Sequence, residues 1–136
     1  MSENHEVEVK LKPWGREIWF AYTDNYAGKI LEVKKGHRYS LQYHEKKEET
    51  QYLFSGKIKF IFGDDENSLQ ELIMEPGQKM DVKPGTIHRV EALEDSQIFE
   101  VSTPDLEDVV KLDDDYGRSG KGNNEDLDQS LHNNNK

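Results

Sequence analysis

Short runs of β-forming residues, each ended by a glycine, a proline or a charged turn, follow one another along most of the chain. Such runs, rich in Val, Ile, Phe, Tyr and Thr and closely spaced, are typical of β-sandwiches and barrels. No stretch carries a convincing helical period. We therefore predict an all-β fold, a double-sheet jelly roll or a small barrel. The predicted strands are Glu17–Tyr22, Gly28–Lys34, His37–His44, Thr50–Phe54, Ile58–Phe62, Ser68–Met74, Lys79–Val82, Thr86–Leu93 and Gln97–Ser102.

The predicted strand 37–44 alternates between two kinds of side chain, because successive residues of a strand point to opposite faces. An aromatic and aliphatic face opposes a polar face that can bind ligands, which favours a barrel with a binding site in its lumen. The other face would then pack on a second sheet or on a partner subunit. The first face carries Tyr39, Leu41 and Tyr43, and the second carries Ser40, Gln42 and His44.

Composition limits the class of protein. The 136 residues suit one domain, and with 33% hydrophobic and 34% charged residues it should be soluble with a thin core. A net charge of −10 excludes a nucleic-acid surface, which needs clustered Lys and Arg. The absence of cysteine excludes disulfides and cysteine-based zinc sites. No apolar run approaches the roughly 20 residues of a membrane span, and the N-terminus lacks the pattern of a signal peptide, so we expect a cytoplasmic protein.

The chain divides into three parts by composition. We predict a lead-in over residues 1–11, one folded domain over residues 12–118, and a polar tail over residues 119–136. The tail from Gly120 onward has almost no apolar content and is expected to be disordered, since it cannot bury enough surface to offset its ordering entropy. A homodimer is expected, because the edges of jelly-roll sheets are often covered by pairing.

Four residues form a candidate metal site. Imidazole and carboxylate ligands together suit borderline divalent metals, and His44, Glu49 and His88 supply them. Gln42 lies on the same face as His44, about 7 Å along the strand, so both can reach one ion. We expect Glu49 on the neighbouring antiparallel strand, and His88 on a further strand placed by the Pro84-Gly85 turn. The Ser55-Gly56-Lys57 turn predicts a hairpin between the strands on either side of it.

The spacing Gly36-x5-Gln42-x-His44-x4-Glu49-x6-Gly56 resembles the first motif of the cupin superfamily, and Pro84-Gly85-Thr86-x-His88 resembles the second. Five further strings resemble the C-terminal cupin domain of type II mannose-6-phosphate isomerases, in which Gln replaces the first His of the cupin motif. The strings are KPWG (12–15), SLQYH (40–44), SGK (55–57), PGTIHRVEA (84–92) and DDYGR (114–118).

The resemblance implies a single-domain cupin double-stranded β-helix that binds one divalent metal ion through Gln42, His44, Glu49 and His88. Zinc is the first expectation, with manganese, cobalt, nickel and iron as alternatives. The implied reaction is the interconversion of mannose 6-phosphate and fructose 6-phosphate, or of a close sugar-phosphate pair. The chain departs from the family at Thr50-Gln51, where a His-Trp pair often follows the ligand glutamate.

The resemblance also points to residues that would act on the substrate. We predict Glu49, Lys47 and Arg89 as catalytic residues, and Lys46, Lys47 and Arg89 as ligands of the phosphate. Successive residues of a strand point to opposite faces, so Arg89 is expected to point away from His88. In this second interpretation Arg89 holds a carboxylate or lines an interface. Lys46 and Lys47 have the alternative of a solvated turn. The proton-transfer base is not identified by the sequence, and Glu48 and His37 are the candidates considered.

Two other functions remain open at this stage. One is a metal- and sugar-binding module without turnover, which serves a sugar-biosynthesis partner. The other is an iron-dependent oxygenase, as in other cupins, against which the neutral amide of Gln42 argues.

Overall fold

The computed structural model describes residues 5–134, which form two antiparallel sheets and one helix. The all-β jelly roll predicted from the sequence is confirmed. The elements are β1 (Glu8–Lys12), β2 (Gly15–Tyr22), β3 (Ala27–Val33), β4 (Leu41–Tyr43), β5 (Glu49–Ser55), β6 (Ile58–Gly63), β7 (Gln70–Met74), β8 (Lys79–Val82), β9 (Ile87–Ala92), β10 (Ser96–Ser102), β11 (Val110–Asp113), β12 (Gly120–Lys121) and α1 (Glu125–Asn134).

The two sheets have six strands each among the described residues. The first sheet has the order β1-β2-β3-β10-β5-β8, and the second has the order β12-β11-β4-β9-β6-β7. Their facing sides enclose an apolar core in which Leu53, Phe60, Val90 and Ile98 have no exposed surface. Burial of one such side chain contributes about 1.5–3 kcal/mol relative to its exposure. The core occupies one end of the barrel and leaves the other end for polar side chains.

The Ser55-Gly56-Lys57 turn does not close a hairpin, so that prediction was wrong. It carries the chain from β5 in the first sheet to β6 in the second. Gly56 has a φ of 95°, and a side chain there would clash with the backbone of Asp95 and with Ser96. The close approach of these two turns redirects the chain between the sheets. The expected pairing of the strands that carry His44 and Glu49 was also wrong, since β4 and β5 belong to different sheets.

Residues 120–134 form the short strand β12 and helix α1, in contrast to the disorder predicted from their composition, and residues 135 and 136 of the predicted tail lie outside the described residues. Helix α1 packs against β1, and Asn124 caps it by accepting a hydrogen bond from the N–H of Leu127 at 3.1 Å. The buried carboxylate of Asp128 accepts from Lys12 Nζ at 2.8 Å and from Arg118 Nη1 at 3.2 Å. Ion pairs therefore attach this helix to the barrel where apolar side chains are scarce. The limits of the predicted domain, 12–118, stay a prediction.

The outer face of the first sheet is apolar across four strands. The strand register places Ile18, Ile30, Phe99 and Tyr52 side by side in one row, and Phe54 stacks on Phe99 with ring centroids 4.9 Å apart. Contiguous exposed apolar surface of this kind usually marks an interaction site. The homodimer stays a prediction, and this face carries apolar side chains that such an interface would bury. In residues 5–134 we find no helix long and apolar enough to cross a membrane.

The ion pairs of Asp128 give a direct test of how the helix is held. We expect Asp128→Asn to lower the free energy of unfolding by about 3–5 kcal/mol, because it leaves the buried cation of Lys12 without a charged partner and removes one of the two carboxylates that pair with Arg118. Asp126→Asn is the matched control, since Asp126 is exposed on the same helix and should change stability by less than about 1 kcal/mol. Urea denaturation measures both. Equal midpoints for the two variants would show that the ion pairs do not hold the helix.

Candidate metal centre

Three buried side chains bring ligand atoms together inside the barrel. His44 follows β4, Glu49 begins β5 and His88 lies in β9, and one ligand atom from each lies within 4.8 Å of the others. Glu49 Oε1 lies 2.8 Å from His44 Nε2 and 3.8 Å from His88 Nε2. Each of the three residues is at most 3% exposed. The structure thus assembles three of the four residues expected to bind metal, from strands of both sheets.

Hydrogen bonds fix the tautomers of both histidines. His44 Nδ1 lies 2.6 Å from the backbone oxygen of Asp108, and His88 Nδ1 lies 3.0 Å from that of Thr86. A carbonyl oxygen only accepts, so both Nδ1 atoms carry the proton and both Nε2 atoms present a lone pair. This arrangement, a second ring nitrogen bonded to a backbone carbonyl, is typical of histidines that bind metal.

The converging atoms have unmet hydrogen-bonding capacity. His44 Nε2, His88 Nε2 and Glu49 Oε1 are buried and have no hydrogen-bond partner. An unpaired buried polar group costs about 1–3 kcal/mol, and here two lone pairs and a carboxylate oxygen face one another. A cation between them removes that cost. The residues therefore fit a divalent metal, and two imidazoles with one carboxylate suit zinc, manganese, iron, cobalt and nickel alike.

Gln42 lies beside this group. Its Cα is the register partner of His88 across β4 and β9, and its side chain lines the same cavity as His44. Gln42 Oε1 accepts a hydrogen bond from Ser40 Oγ at 2.6 Å. A carbonyl oxygen has two lone pairs, so one remains for a metal. Gln42 as the fourth ligand stays a prediction.

The loop between His44 and Glu49 is held by Asp108. Its carboxylate accepts backbone hydrogen bonds from Glu45, Lys46 and Lys47 at 3.0, 2.7 and 2.9 Å. Burial raises the pKa of Asp108, but these three donors outweigh it and lower the pKa below its usual range. The same residue holds His44 through its backbone oxygen. Sequence reasoning missed this role, because nothing in the sequence near Asp108 indicates which distant loop it contacts.

Lys47 lies inside the barrel, so the alternative of a solvated turn is wrong for it. It is 3% exposed, and its Nζ lies 3.0 Å from Glu100 Oε2 and 3.6 Å from Glu49 Oε1. Burial lowers the pKa of Lys47, but the carboxylates of Glu100 and Glu49 outweigh it and raise the pKa above its usual value. A charged ammonium therefore stands beside the candidate metal ligands.

Glu100 is a second acid–base group in the cavity that sequence reasoning missed. Burial and the negative charge of Glu49 raise the pKa of Glu100 to about 7, against the opposing effect of Lys47 and Lys29. Glu17 differs: burial raises its pKa, but Lys29 and Lys12 outweigh this and lower it to about 2. Burial, opposed by Glu49, lowers the pKa of His88 to about 4. The cavity thus contains carboxyl groups of contrasting acidity.

Lys29 connects Glu17 and Glu100. Its Nζ lies 3.2 Å from Glu17 Oε1 and 3.8 Å from Glu100 Oε2, and Trp19 donates to Glu17 at 2.9 Å. The sequence contains a signal that could have placed Lys29 and Glu100 in the cavity. Lys29 lies two residues before the core residue Leu31, and Glu100 lies two residues after the core residue Ile98, so strand alternation points both charges inward.

Gln51 and Tyr39 support Glu49. Gln51 Nε2 donates to Glu49 Oε2 at 2.8 Å and to the Tyr39 hydroxyl at 3.1 Å. Tyr39 was predicted on the face opposite Gln42, and this was wrong. The strand there is interrupted, since Arg38 forms only an isolated bridge to Glu91 and β4 begins at Leu41. Strict alternation therefore does not extend back to Tyr39, whose ring points into the barrel.

Arg89 is not brought to the site. Its Nε donates to the backbone oxygen of Tyr39 at 3.0 Å, and its other nitrogens lie 3.5 Å from Asp113 and 3.7 Å from Asp115. Because His88 points into the barrel, the next residue points to the outer side of the same sheet. The structure favours the interpretation in which Arg89 holds carboxylates, rather than substrate.

The remaining candidates also lie away from the site. Lys46 is exposed on the loop held by Asp108. Glu48 points outward and pairs with Lys83 at 2.6 Å. His37 Nδ1 bonds the Tyr116 hydroxyl at 2.7 Å. Neither residue considered as the proton-transfer base contacts the His44, Glu49 and His88 group.

The cavity beside the candidate metal ligands is narrow, at about 50 Å³. That volume holds a few water molecules, or the end of a larger ligand. It is lined by Lys12, Trp14, Glu17, Lys29, Leu31, Tyr39, Ser40, Gln42, His44, Lys47, Gln51, Glu100, Leu106, Val109, Lys111, Arg118 and Asn123.

Removal of either histidine tests the metal centre. We expect His44→Ala and His88→Ala to lose stoichiometric zinc and manganese, because each removes one of three converging ligands. At about 100 times its dissociation constant, a metal should stabilise the wild type by about 2.7 kcal/mol and stabilise these variants far less. Elemental analysis and thermal unfolding with and without metal measure this. His37→Ala is the control and should behave as the wild type. Full metal content in His88→Ala would refute the assignment.

Comparisons with known proteins come from sequence and from structure. The sequence profile of the family described as "Mannose-6-phosphate isomerase C-terminal" matches residues 1–114. A search of curated proteins found no match. Three solved structures similar in fold are KdgF from Halomonas sp., CapF from Staphylococcus aureus and oxalate decarboxylase from Bacillus subtilis.

The structural similarity is moderate in each case. KdgF is 20% identical with a TM-score of 0.61, over 76% of this chain and 92% of KdgF. CapF is 20% identical with a TM-score of 0.62, over 74% of this chain and 29% of CapF. Oxalate decarboxylase is 17% identical with a TM-score of 0.67, over 82% of this chain and 33% of that protein. The chain spans about a third of the latter two proteins. At these identities the likeness establishes the fold alone, and the predicted cupin jelly roll is confirmed.

Proposed function

The chain belongs to the mannose-6-phosphate isomerase C-terminal family, and on this premise we propose that it is a metal-dependent aldose–ketose isomerase. Its substrates would be mannose 6-phosphate and fructose 6-phosphate, or a close sugar-phosphate pair. The observation that supports this most is that unpaired ligand atoms of His44, Glu49 and His88 converge inside the barrel beside the Lys47–Glu100 ion pair.

The reaction moves a proton between two neighbouring carbons, one of which carries the carbonyl. It requires an electrophile at the carbonyl oxygen, a base at the carbon and a means of holding the substrate. His44, Glu49 and His88, with Gln42 as the predicted fourth ligand, would hold the metal. When bound, a divalent metal polarises the carbonyl and stabilises the negative charge that develops on its oxygen.

Glu100 is the base that the geometry favours. Its carboxyl group lines the cavity, and it is held there by Lys47 at 3.0 Å. In the proposed reaction Glu100 takes the proton from the carbon beside the carbonyl, the electrons of that C–H bond form a carbon–carbon double bond, and the electrons of the C=O double bond move to its oxygen to give an enediolate. The hydroxyl proton then passes from the neighbouring oxygen to the former carbonyl oxygen, the neighbouring oxygen becomes the new carbonyl, and Glu100 returns its proton to the former carbonyl carbon. Lys47 acts as a positioning residue, because it orients Glu100 and balances its charge.

The role of Glu100 predicts a specific loss. We expect Glu100→Gln to reduce kcat by about 10²–10⁴-fold, because an amide cannot accept the proton. Metal content should stay unchanged, since Glu100 is not a metal ligand. Glu48→Gln is the matched control and should retain activity, because Glu48 points outward. A coupled isomerase assay with metal-loaded protein measures the rates, and mass spectrometry of hexose phosphate in deuterated water measures the proton exchange.

Two outcomes would count against the proposal in different ways. A metal-loaded protein that incorporates no solvent deuterium into any hexose phosphate would refute the isomerase function. Deuterium exchange that persists at the wild-type rate in Glu100→Gln would keep the function and assign the base to another residue.

A second function is favoured by one set of observations. The cavity is only about 50 Å³, and its acid–base side chains are already paired with one another. Gln51 contacts Glu49 at the position where the chain departs from the family. These features support a module that binds metal and sugar without turnover, in the service of a sugar-biosynthesis partner. Calorimetric binding of sugar phosphate by a protein that shows no deuterium exchange would favour this function over the first.

A further inference from the structure

The metal cavity is lined by more cations than carboxylates, although the chain as a whole carries a net charge of −10. Its lining includes five cationic side chains and two carboxylates. The deeper charges balance, because Lys29 and Lys47 pair with the two carboxylates. The three cations toward the C-terminal segment are a separate group, with different partners. They are Lys12, Lys111 and Arg118.

Two cations of this group are already paired. Arg118 makes a bidentate pair with Asp114, at 2.9 and 2.8 Å, and also donates to Asp128 at 3.2 Å. Lys12 donates to the other oxygen of Asp128 at 2.8 Å. Both residues therefore serve the attachment of the C-terminal segment, and their charge is offset by carboxylates.

Lys111 is different. It is 8% exposed, and its ammonium donates to two neutral oxygens, the backbone oxygen of Gly122 and the side-chain oxygen of Asn123. Within residues 5–134 it forms no ion pair with a carboxylate. An ammonium has three donors, so one remains. Burial and the charges of Arg118 and Lys12, opposed by the more weakly acting carboxylates of Asp128 and Asp114, lower the pKa of Lys111.

Lys111 also separates two cavities. It lines both the metal cavity and an outer cavity of about 350 Å³ beneath the start of α1. Arg118 and Asn123 also line both cavities. The outer cavity is formed by residues 117–124, where Gly117, Gly120 and Gly122 have φ values of 78°, 122° and 78°. In this loop the N–H groups of Gly117 and Gly122 donate to the backbone oxygens of Asp114 and Val109, and that of Arg118 donates to Asp114 Oδ2, so Lys111 is the group with donor capacity left for an anion.

The position of Lys111 relative to the metal ligands follows from the strand register. Lys111 in β11 is the partner of Gln42 in β4, which in turn is the partner of His88 in β9. Two strand spacings separate the backbones of Lys111 and His88 by about 10 Å. A ligand with a carbonyl at one end and an anion at the other can therefore reach both.

We propose that Lys111 and the 117–124 loop form an anion subsite that binds the phosphate group of a sugar phosphate, while the carbonyl end of the sugar enters the metal cavity. The identity of the ligand rests on the proposed function, but the anion subsite itself rests on the buried charge of Lys111. The oxygens of Gly122 and Asn123 orient the ammonium, and a phosphate dianion supplies the missing negative charge. A charge-assisted hydrogen bond of this kind is stronger than a neutral one.

A purely structural role for Lys111 makes different predictions. In that case its ammonium only fastens the loop through Gly122, and its removal weakens neutral and phosphorylated ligands alike. An anion subsite affects only ligands that carry the phosphate. The comparison of a phosphorylated sugar with the same sugar without phosphate separates these two roles.

The experiment measures binding to the metal-loaded full chain by calorimetry. The probes are mannose 6-phosphate, mannose and inorganic phosphate, and the variants are Lys111→Met, Lys111→Arg and the exposed control Lys34→Met. We expect Lys111→Met to bind mannose 6-phosphate about 10- to 100-fold more weakly and mannose unchanged. Lys111→Arg and Lys34→Met should stay within a few-fold of the wild type, and inorganic phosphate should compete with mannose 6-phosphate in these three proteins but not in Lys111→Met.

Other outcomes would overturn the subsite. These are unchanged affinity of Lys111→Met for mannose 6-phosphate, or an equal loss for mannose. Should Lys111→Met fail to fold, titration of the wild type with inorganic phosphate decides: amide NMR shifts should saturate at Lys111 and residues 117–124, and their absence there refutes the proposal. Phosphate binding at Lys111 without any isomerisation would retain the subsite and reject only the isomerase function.

Discussion

A buried carboxylate that needs compensation determines the arrangement of the polar end of this barrel. Burial of an isolated charge is very unfavourable unless opposite charges and donors surround it. Glu49 lies at this point, with Lys47 beside one oxygen and Gln51 donating to the other. Lys47 in turn requires Glu100. One carboxylate therefore accounts for a chain of inward-facing polar residues, while the opposite end of the lumen is filled by apolar side chains.

The strands and the three convergent candidate ligands could be predicted because both follow from local rules. Turn residues and β-forming runs mark strands, and His44, Glu49 and His88 are the residue types that bind metals. The path between the strands could not be predicted in the same way. The switch of sheet at Gly56 depends on contact with Asp95 and Ser96, which lie about forty residues away in the sequence. Local composition predicts that a turn is present, but it does not predict which sheet the next strand joins.

Charged residues gave the largest differences between sequence and structure. Lys47 was predicted as a catalytic and phosphate-binding residue or as part of a solvated turn, and it forms a buried ion pair with Glu100, which could not be foreseen because Glu100 is distant in the chain. The C-terminal segment was expected to be disordered because it lacks apolar residues, yet Asp128 attaches it through Lys12 and Arg118. Composition indicates how much apolar surface a segment can bury. It does not indicate which ion pairs the segment can form with the rest of the fold.

The separation of charge between surface and cavity has a kinetic consequence. A surface with an excess of negative charge repels a doubly charged anion at long range, whereas the ammonium of Lys111, which bonds only neutral oxygens, attracts it only at short range. Mobile ions screen the first effect beyond about 8 Å at physiological ionic strength and act much less on a buried group. For an anionic ligand, moderate salt should therefore accelerate association with this protein, the reverse of the salt effect that accompanies electrostatic steering.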